Sequence, residues 1–247
     1  MSKILIITDA WEPQVNGVVV TMTTIVKKLK ERGYKVDVIH PGLFHTFPLP
    51  NYPEISVAWN FWDLKKKIQK SDPDYIHISV EGPLGLTGRH YCLEHKIPYS
   101  SAIHTKFPEY VYERFNIGLD VTKGLLKWFH NSALNTLVNT KSHMKELKND
   151  GFNDLVLWSR GFDEEIFYPD KKGGKGNYLL YVGRVAIEKN IEEFLKMETT
   201  LKKVVVGGGP MLNKFKRKYK EVDFLGYKKR QRTRKYFLLA QKKEVCE

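Results

Sequence analysis

Short apolar runs alternate with amphipathic stretches from the first residues of this chain, and that alternation restricts the fold more than any other feature. A strand followed by a crossover helix and another strand builds a parallel sheet covered on both faces. The run KILIIT over Lys3–Thr8 reads as a buried strand. Val18–Arg32 carries Val18, Met22, Ile25, Val26 and Leu29 at helical spacing and stops at Gly33, a residue suited to a helix C-terminus. Lys35–His40 is the next strand, followed by a Pro-rich loop from Pro41 to Pro53. The pattern then predicts a helix over Phe61–Lys70, a strand over Tyr75–Ser79, a helix over Leu84–His95 and a strand over Tyr99–Ile103. Phe107–Trp128 looks helical, and Leu134–Asn139, Lys141–Lys148 and Leu155–Trp158 continue the alternation.

The segment Pro169-Asp170-Lys171-Lys172-Gly173-Gly174-Lys175-Gly176 has no apolar residue and reads as a flexible linker. It divides the chain into an N-terminal Rossmann-like domain (1–168), the linker (169–176) and a second unit (177–247). The second unit shows strands Tyr178–Val182, Val204–Val206 and Val222–Leu225, with a helix over Asn190–Lys196 and another opened by Gly207-Gly208-Gly209-Pro210. The expected class is therefore α/β, with two Rossmann-like domains and parallel sheets.

Hydrophobic residues make up 42% of the chain and charged residues 28%, which is globular rather than disordered composition. No apolar run approaches the roughly 20 residues needed to cross a bilayer, and the N-terminus lacks the long apolar core of a signal peptide. Two cysteines, Cys92 and Cys246, argue against a disulfide framework. These features make a cytoplasmic location the expectation. The formal net charge of +13 fits a solvated Lys-rich surface, an anionic membrane surface or nucleic acid. Nucleic acid ranks last, since no zinc-finger spacing, aromatic ribonucleoprotein motif or basic zipper is present.

Several residues sit where ligands bind in such folds, beyond the carboxyl ends of strands. Asn16-Gly17 lies between a strand end and a helix start, where glycine lets backbone N–H groups approach a phosphate and the helix end is partly positive. An ordinary strand-to-helix turn would also use Gly17. Arg184 and Lys189 follow a strand end and suit neutralisation of a diphosphate leaving group, unless they are surface charge alone. Gly207–Pro210 is a Gly-rich strand-to-helix loop, with or without a ligand. His104 closes Tyr99–Ile103 at a crevice position, while His77, His130 and His143 lack such placement and read as structural or surface residues. Asp72-Pro73-Asp74 resembles a metal-holding Asp-X-Asp pair, but before a strand it reads as a turn.

Four ordered segments resemble the family-4 glycosyltransferases: Asp9–Val18; Glu81-Gly82-Pro83-Leu84-Gly85 with Ile103-His104-Thr105; Trp128-Phe129-His130-Asn131 leading to Arg160-Gly161-Phe162-Asp163 and Phe167-Tyr168-Pro169; and Tyr181-Val182-Gly183-Arg184 through Glu188-Lys189-Asn190 to Gly207–Pro210 and Phe224-Leu225-Gly226. The second and third look most like the branch of sulfolipid synthases, diacylglycerol glucosyltransferases and mannosyltransferases. The resemblance implies a GT-B fold and retaining transfer of a hexosyl group from a nucleotide-diphosphate sugar to a hydroxyl acceptor, without a metal or other cofactor. It places the donor on Asn16, Gly17, Arg184, Lys189, Gly208, Gly209 and Pro210, and His104 near the reacting carbon. Glu81 and Gly82 fall on the acceptor side, and the first domain would hold the acceptor. The branch, the positive charge and the aromatic-basic stretch Lys123–His130 imply a lipid acceptor at the inner, anionic face of a membrane.

Two departures matter. The family commonly places Asp, Glu or Ser where Gly208 stands, and it carries two glutamates eight positions apart that grip the donor sugar and ribose. No Glu of this chain has another eight positions later, and only Tyr227–Glu247 follows Gly226. The second domain therefore reads as incomplete, and an inactive truncated remnant is the alternative to an active transferase.

Overall fold

The structure, a computed structural model, describes residues 2–14, 16–49, 52–104, 118–159, 161, 168 and 177–228. The chain forms two compact units, Met1–Gly161 and Phe162–Glu247. The linker expected over 169–176 and residues 229–247, Cys246 among them, lie outside the described residues, as do Thr105, Arg160, Phe162, Asp163 and Phe167.

In the first unit, strands β1 (Lys3–Ile7), β2 (Lys35–Ile39), β5 (Tyr75–Ile78), β6 (Tyr99–Ile103), β7 (Asn135–Val138) and β8 (Leu155–Leu157) form one sheet in the order β2-β1-β5-β6-β7-β8. Every pairing in it is parallel. Helices α1 (Gly17–Glu31), α2 (Leu64–Ser71), α3 (Pro83–Glu94), α4 (Leu119–His130) and α5 (Lys141–Asn149) supply the crossovers. Side chains alternate across each strand, so β1 serves two cores. Ile6 packs with Met22, Val26 and Val36 under α1. Leu5 and Ile7 point the other way, into a cluster with Leu64 and Ile68 of α2, Leu84 and Cys92 of α3, and Phe129 of α4. Burial of Cys92 pushes its thiol up to about 12, which makes it an inert packing group.

The expected loop from Pro41 to Pro53 is instead structured. A 3₁₀ turn, Pro41–Leu43, leads into an antiparallel hairpin of β3 (Thr46–Leu49) and β4 (Tyr52–Ala58). Pro48 hides this from a sequence reading, because proline suits only a strand with an unpaired edge. A two-stranded ribbon provides one, and the register shifts at Pro48/Leu49. The expected helix Phe61–Lys70 splits into a 3₁₀ turn, Phe61–Asp63, and α2. Of the expected helix Phe107–Trp128, residues 107–117 lie outside the described set, and α4 runs on to His130.

In the second unit, β9 (Tyr178–Val182), β10 (Lys202–Val206) and β11 (Asp223–Phe224) pair in parallel in the order β11-β10-β9. Helices α6 (Ile191–Lys196) and α7 (Leu212–Lys218) cover it through Ile191, Leu195 and Phe215. Asn190 is not part of α6: its left-handed backbone (φ +44°) separates that helix from the 3₁₀ turn Ile187–Lys189.

Candidate functional site

The first sheet turns outward from β1 to β2 on one side and runs from β5 to β8 on the other, so the loops leaving β1 and β5 diverge and open a crevice. Asp9, Asn16 and Gly17 follow β1. Ser79, Glu81 and Gly82 follow β5, and His104 follows β6. All therefore lie along one sheet edge.

Asp9 ties the two loops together. Its carboxylate accepts the N–H groups of Leu84 and Gly85, each at 3.0 Å, and so caps the N-terminus of α3. A Cβ at Gly82 would overlap the Asp9 carboxylate, and one at Gly85 would overlap Val80 O. The two glycines of Glu-Gly-Pro-Leu-Gly are thus required by packing around this cap. Burial raises the Asp9 carboxyl to about 6, against the lowering effect of the two N–H groups, and the nearby charge of Glu81 adds to the rise. The sequence alone assigns Asp9 no role. A carboxylate directly after an apolar strand at the first crevice was the available signal.

Glu81 is held by a residue that sequence reasoning set aside. His130, 1% exposed, places Nε2 2.9 Å from Glu81 Oε1 and Nδ1 2.8 Å from Ser101 Oγ. The rest of Trp-Phe-His-Asn is also structural. Trp128 lies under the guanidinium of buried Arg89 at 3.7 Å, Phe129 is core, and Asn131 bridges Gly151 O and Asn153 N–H. Arg89 also donates to the carbonyl of Trp128 (3.0 Å) and to Ser132 Oγ (2.9 Å). Lys123 pairs with Asp150 at 2.9 Å. The aromatic-basic interleaving of Lys123–His130 is thus largely accounted for by packing, although Val121, Leu125 and Trp128 remain exposed on α4.

His104 is buried, with Nε2 3.3 Å from Ser79 Oγ and its ring edge-on to Trp158. Asn16 caps α1: its Oδ1 accepts from Val18 and Val19 N–H at 3.0 Å, and its amide reaches Gln14. That side chain shapes the helix start, and Gly17 is the first residue of α1. His77 meets Ser100 Oγ at 2.9 Å, and burial holds it down to about 4, hence neutral. Asp72 closes α2 in the left-handed region and Asp74 accepts Lys3 N–H at 2.7 Å, the geometry of a turn.

In the second unit two loops are zipped together at the carboxyl end of the sheet. Val185 N–H donates to Gly208 O (2.9 Å), Met211 N–H to Val185 O (3.1 Å) and Gly183 N–H to Val206 O (3.1 Å). Gly207 (φ +154°) and Gly209 (φ +156°) admit no side chain, because a Cβ would overlap Gly183 O and Val185 O. A Cβ at Gly208 meets only Tyr227 Cβ at 3.9 Å. Arg184 stands on the first loop, its carbonyl accepting from Tyr181 Oη at 3.1 Å. Lys189 ends the following 3₁₀ turn and is exposed, and Pro210 leads into α7.

A sequence profile of Glycosyltransferase Family 4 matches residues 15–166, more than half of the chain. The chain belongs to this family. This family-4 glycosyltransferase chain is 24% identical over 239 residues to a GDP-mannose-dependent alpha-mannosyltransferase of Corynebacterium glutamicum, covering 84% of this chain and 58% of that protein. It is 24% identical over 262 residues to an alpha-monoglucosyldiacylglycerol synthase of Streptococcus pneumoniae, covering 90% and 59%. It spans 58% to 63% of the length of the mannosyltransferases it matches. Among solved structures, S. aureus MnaA with UDP is similar at a TM-score of 0.55 and 13% identity, covering 96% of this chain and 71% of that one. An alpha-glucosyltransferase with UDP-glucose and DNA containing an abasic site is similar at 0.56 and 13%, covering 88% and 60%. These likenesses bear on fold alone: the family-4 chain has the mixed α/β, parallel-sheet architecture of GT-B proteins.

Proposed function

We propose that this chain serves retaining transfer of a hexosyl group from a nucleotide-diphosphate sugar to a hydroxyl of a lipid, in the cytoplasm at the inner face of a membrane. Arg184 and Lys189, with Gly208, Gly209 and Pro210, take the donor diphosphate. Asn16 and Gly17 offer it a helix start, His104 faces the reacting carbon, and Glu81 and Gly82 line the acceptor side. The diphosphate is neutralised by these cations and backbone groups, without a metal. The observation that carries this reading is the zipped loop pair of the second unit, which fixes Arg184 beside a Gly-rich strand-to-helix turn at a sheet edge. Membership of family 4 and the glycolipid synthase among the relatives support the donor and acceptor classes.

Calorimetric titration of the full chain with UDP, GDP and their glucose and mannose conjugates tests the donor site. Arg184→Gln and Lys189→Gln should each weaken binding about tenfold or more, as loss of a charge-assisted hydrogen bond does. Unchanged affinity in both variants would remove these residues from the site. Transfer to diacylglycerol vesicles, with the anomeric configuration read by NMR and the rate compared with and without EDTA, tests acceptor, retention and metal independence.

A further inference from the structure

A cleft opens between the loop joining β1 to α1, the 3₁₀ turn after β2 and the hairpin. Its walls include Trp11, Glu12 and Gln14 of the loop, Gly42 of the turn, and Thr46 and Ser56 of the hairpin. The volume, about 280 Å³ counted to the open mouth, falls just under the roughly 300 Å³ at which small-molecule pockets begin. Strand alternation sets two of the walls. Thr46 pairs with Ala58 and Pro48 with Ser56, so Thr46 and Ser56 share one face of the ribbon while Phe47 and Val57 take the other. Gln14 is 6% exposed, and its side chain is anchored: Nε2 donates to Asp9 O at 3.3 Å and Oε1 accepts from Asn16 Nδ2 at 3.4 Å. A primary amide carries two N–H groups and two lone pairs, which leaves one of each for a ligand among the described residues.

A histidine stands beside this wall. His40 stacks on Trp11 with ring centroids 5.6 Å apart, and a Cβ at Gly42 would come 3.0 Å from its Cε1. Burial holds the ring below the usual histidine range, hence neutral. Its Nδ1 is buried without a partner among the described residues, although buried polar atoms almost always have one. The two residues against the ring, Trp11 and Gly42, both line the cleft.

We infer that this cleft binds a single hexopyranose ring, as a free glycoside or as the headgroup of a lipid. A sugar packs its C–H face on an indole and directs hydroxyls, which both donate and accept, to carboxylate, amide and hydroxyl groups. An apolar ligand would leave those groups unpaired. A phosphate would meet Glu12 with no cation on the walls, and an ammonium, which only donates, would leave the amide N–H unanswered. The walls come from segments that follow β1 and β2, whereas Glu81 and His104 follow β5 and β6. The cleft is therefore an addition to the crevice, linked to it through Gln14, which touches both Asp9 and Asn16.

Saturation-transfer NMR and calorimetry of the full chain with the methyl α-pyranosides of glucose and mannose measure the binding. At least one should bind saturably, with none for choline or inorganic phosphate. Glu12→Gln should weaken it about tenfold, as loss of a charge-assisted hydrogen bond does, and Thr46→Val with Ser56→Ala several-fold. Trp11→Ala should abolish it. That ring also packs in the cluster under α1, so circular dichroism checks folding, and the exposed Glu12 decides the matter if the tryptophan variant is unfolded. UDP should not displace the glycoside. Phosphatidylcholine vesicles bearing glucosyldiacylglycerol assign the source: competition with the glycoside marks a lipid headgroup, and its absence a free sugar. Failure of both glycosides to bind, parental affinity in the Glu12 and hydroxyl variants, displacement by UDP, or Glu12-dependent binding of choline alone would overturn the inference. A chain that binds the glycoside but no nucleotide keeps the cleft and counts against the donor reading alone.

Discussion

His130 bridges Glu81 and Ser101, with Nε2 2.9 Å from Glu81 Oε1 and Nδ1 2.8 Å from Ser101 Oγ. Facing a carboxylate, Nε2 must carry a proton, and a neutral ring then accepts the Ser101 hydroxyl proton at Nδ1. Ser101 Oγ is in turn 3.0 Å from Thr136 Oγ1. Removing the ring leaves a cavity and strips Glu81 of its anchor. His130→Ala should therefore cost about 3 kcal/mol of stability, and Glu81→Gln, whose amide oxygen still accepts, about 1 kcal/mol. Urea unfolding of both variants checks the ordering, and equal small losses would place Glu81 free of His130.

Gly207 and Gly209 are clamped against Gly183 O and Val185 O with positive φ, whereas a Cβ at Gly208 would make only ordinary contact with Tyr227 among the described residues. Gly207→Ala and Gly209→Ala should each destabilise the second unit by about 2 kcal/mol or more. Gly208→Ala should stay within about 0.5 kcal/mol of the parent. Hydrogen exchange at Val204–Val206 reads this locally, and a Gly208→Ala loss as large as that of its neighbours would overturn the distinction.

The Asp9 carboxyl is raised to about 6 from 3.8. Between those values the native state holds more protons than the unfolded one, so this group's contribution makes stability fall as pH rises from about 4 to about 6. Asp9→Asn removes that dependence, and the variant should gain on the parent across the window and run level above it. His77, held down to about 4, acts in the opposite sense in both proteins and cancels in the comparison. Unfolding of parent and variant side by side across this range checks it, and a pH-independent difference would show that Asp9 titrates normally.

Arg89 sends three interactions to the C-terminal turn of α4 and to Ser132, and its guanidinium stacks on Trp128. A lysine cannot reproduce that planar fork. Arg89→Met should lower stability by about 2–4 kcal/mol, and Arg89→Lys should recover less than half of the loss. Thermal melts of the pair measure this; full rescue by lysine would mean that charge alone matters there.

What the sequence made legible was local. Tyr99–Ile103 and Tyr178–Val182 could be read to the residue, because Pro98 and His104 bound the first and Asn177 and Gly183 bound the apolar run of the second. The hairpin was not legible, since Pro48 argues against a strand until the strand is known to be an edge. Arg184 and Lys189 could be placed at a strand end from order alone. The glycines of Glu-Gly-Pro-Leu-Gly were recognisable as a signature but not explicable, because the carboxylate that demands Gly82 lies far away in the sequence at Asp9. Trp-Phe-His-Asn was opaque for the same reason, with its partners on α3, β6 and the loop after β5.

The zipped loops of the second unit divide labour between neighbouring residues. Gly207 and Gly209 hold the backbone, so the fold fixes them, while position 208 between them stands outside that constraint. A side chain gained there by mutation would start from ordinary contact with Tyr227 among the described residues, with its scaffold intact. Gly208 is thus the place where descendants of this chain can try new polar contacts, one residue at a time, without first having to survive a loss of folding.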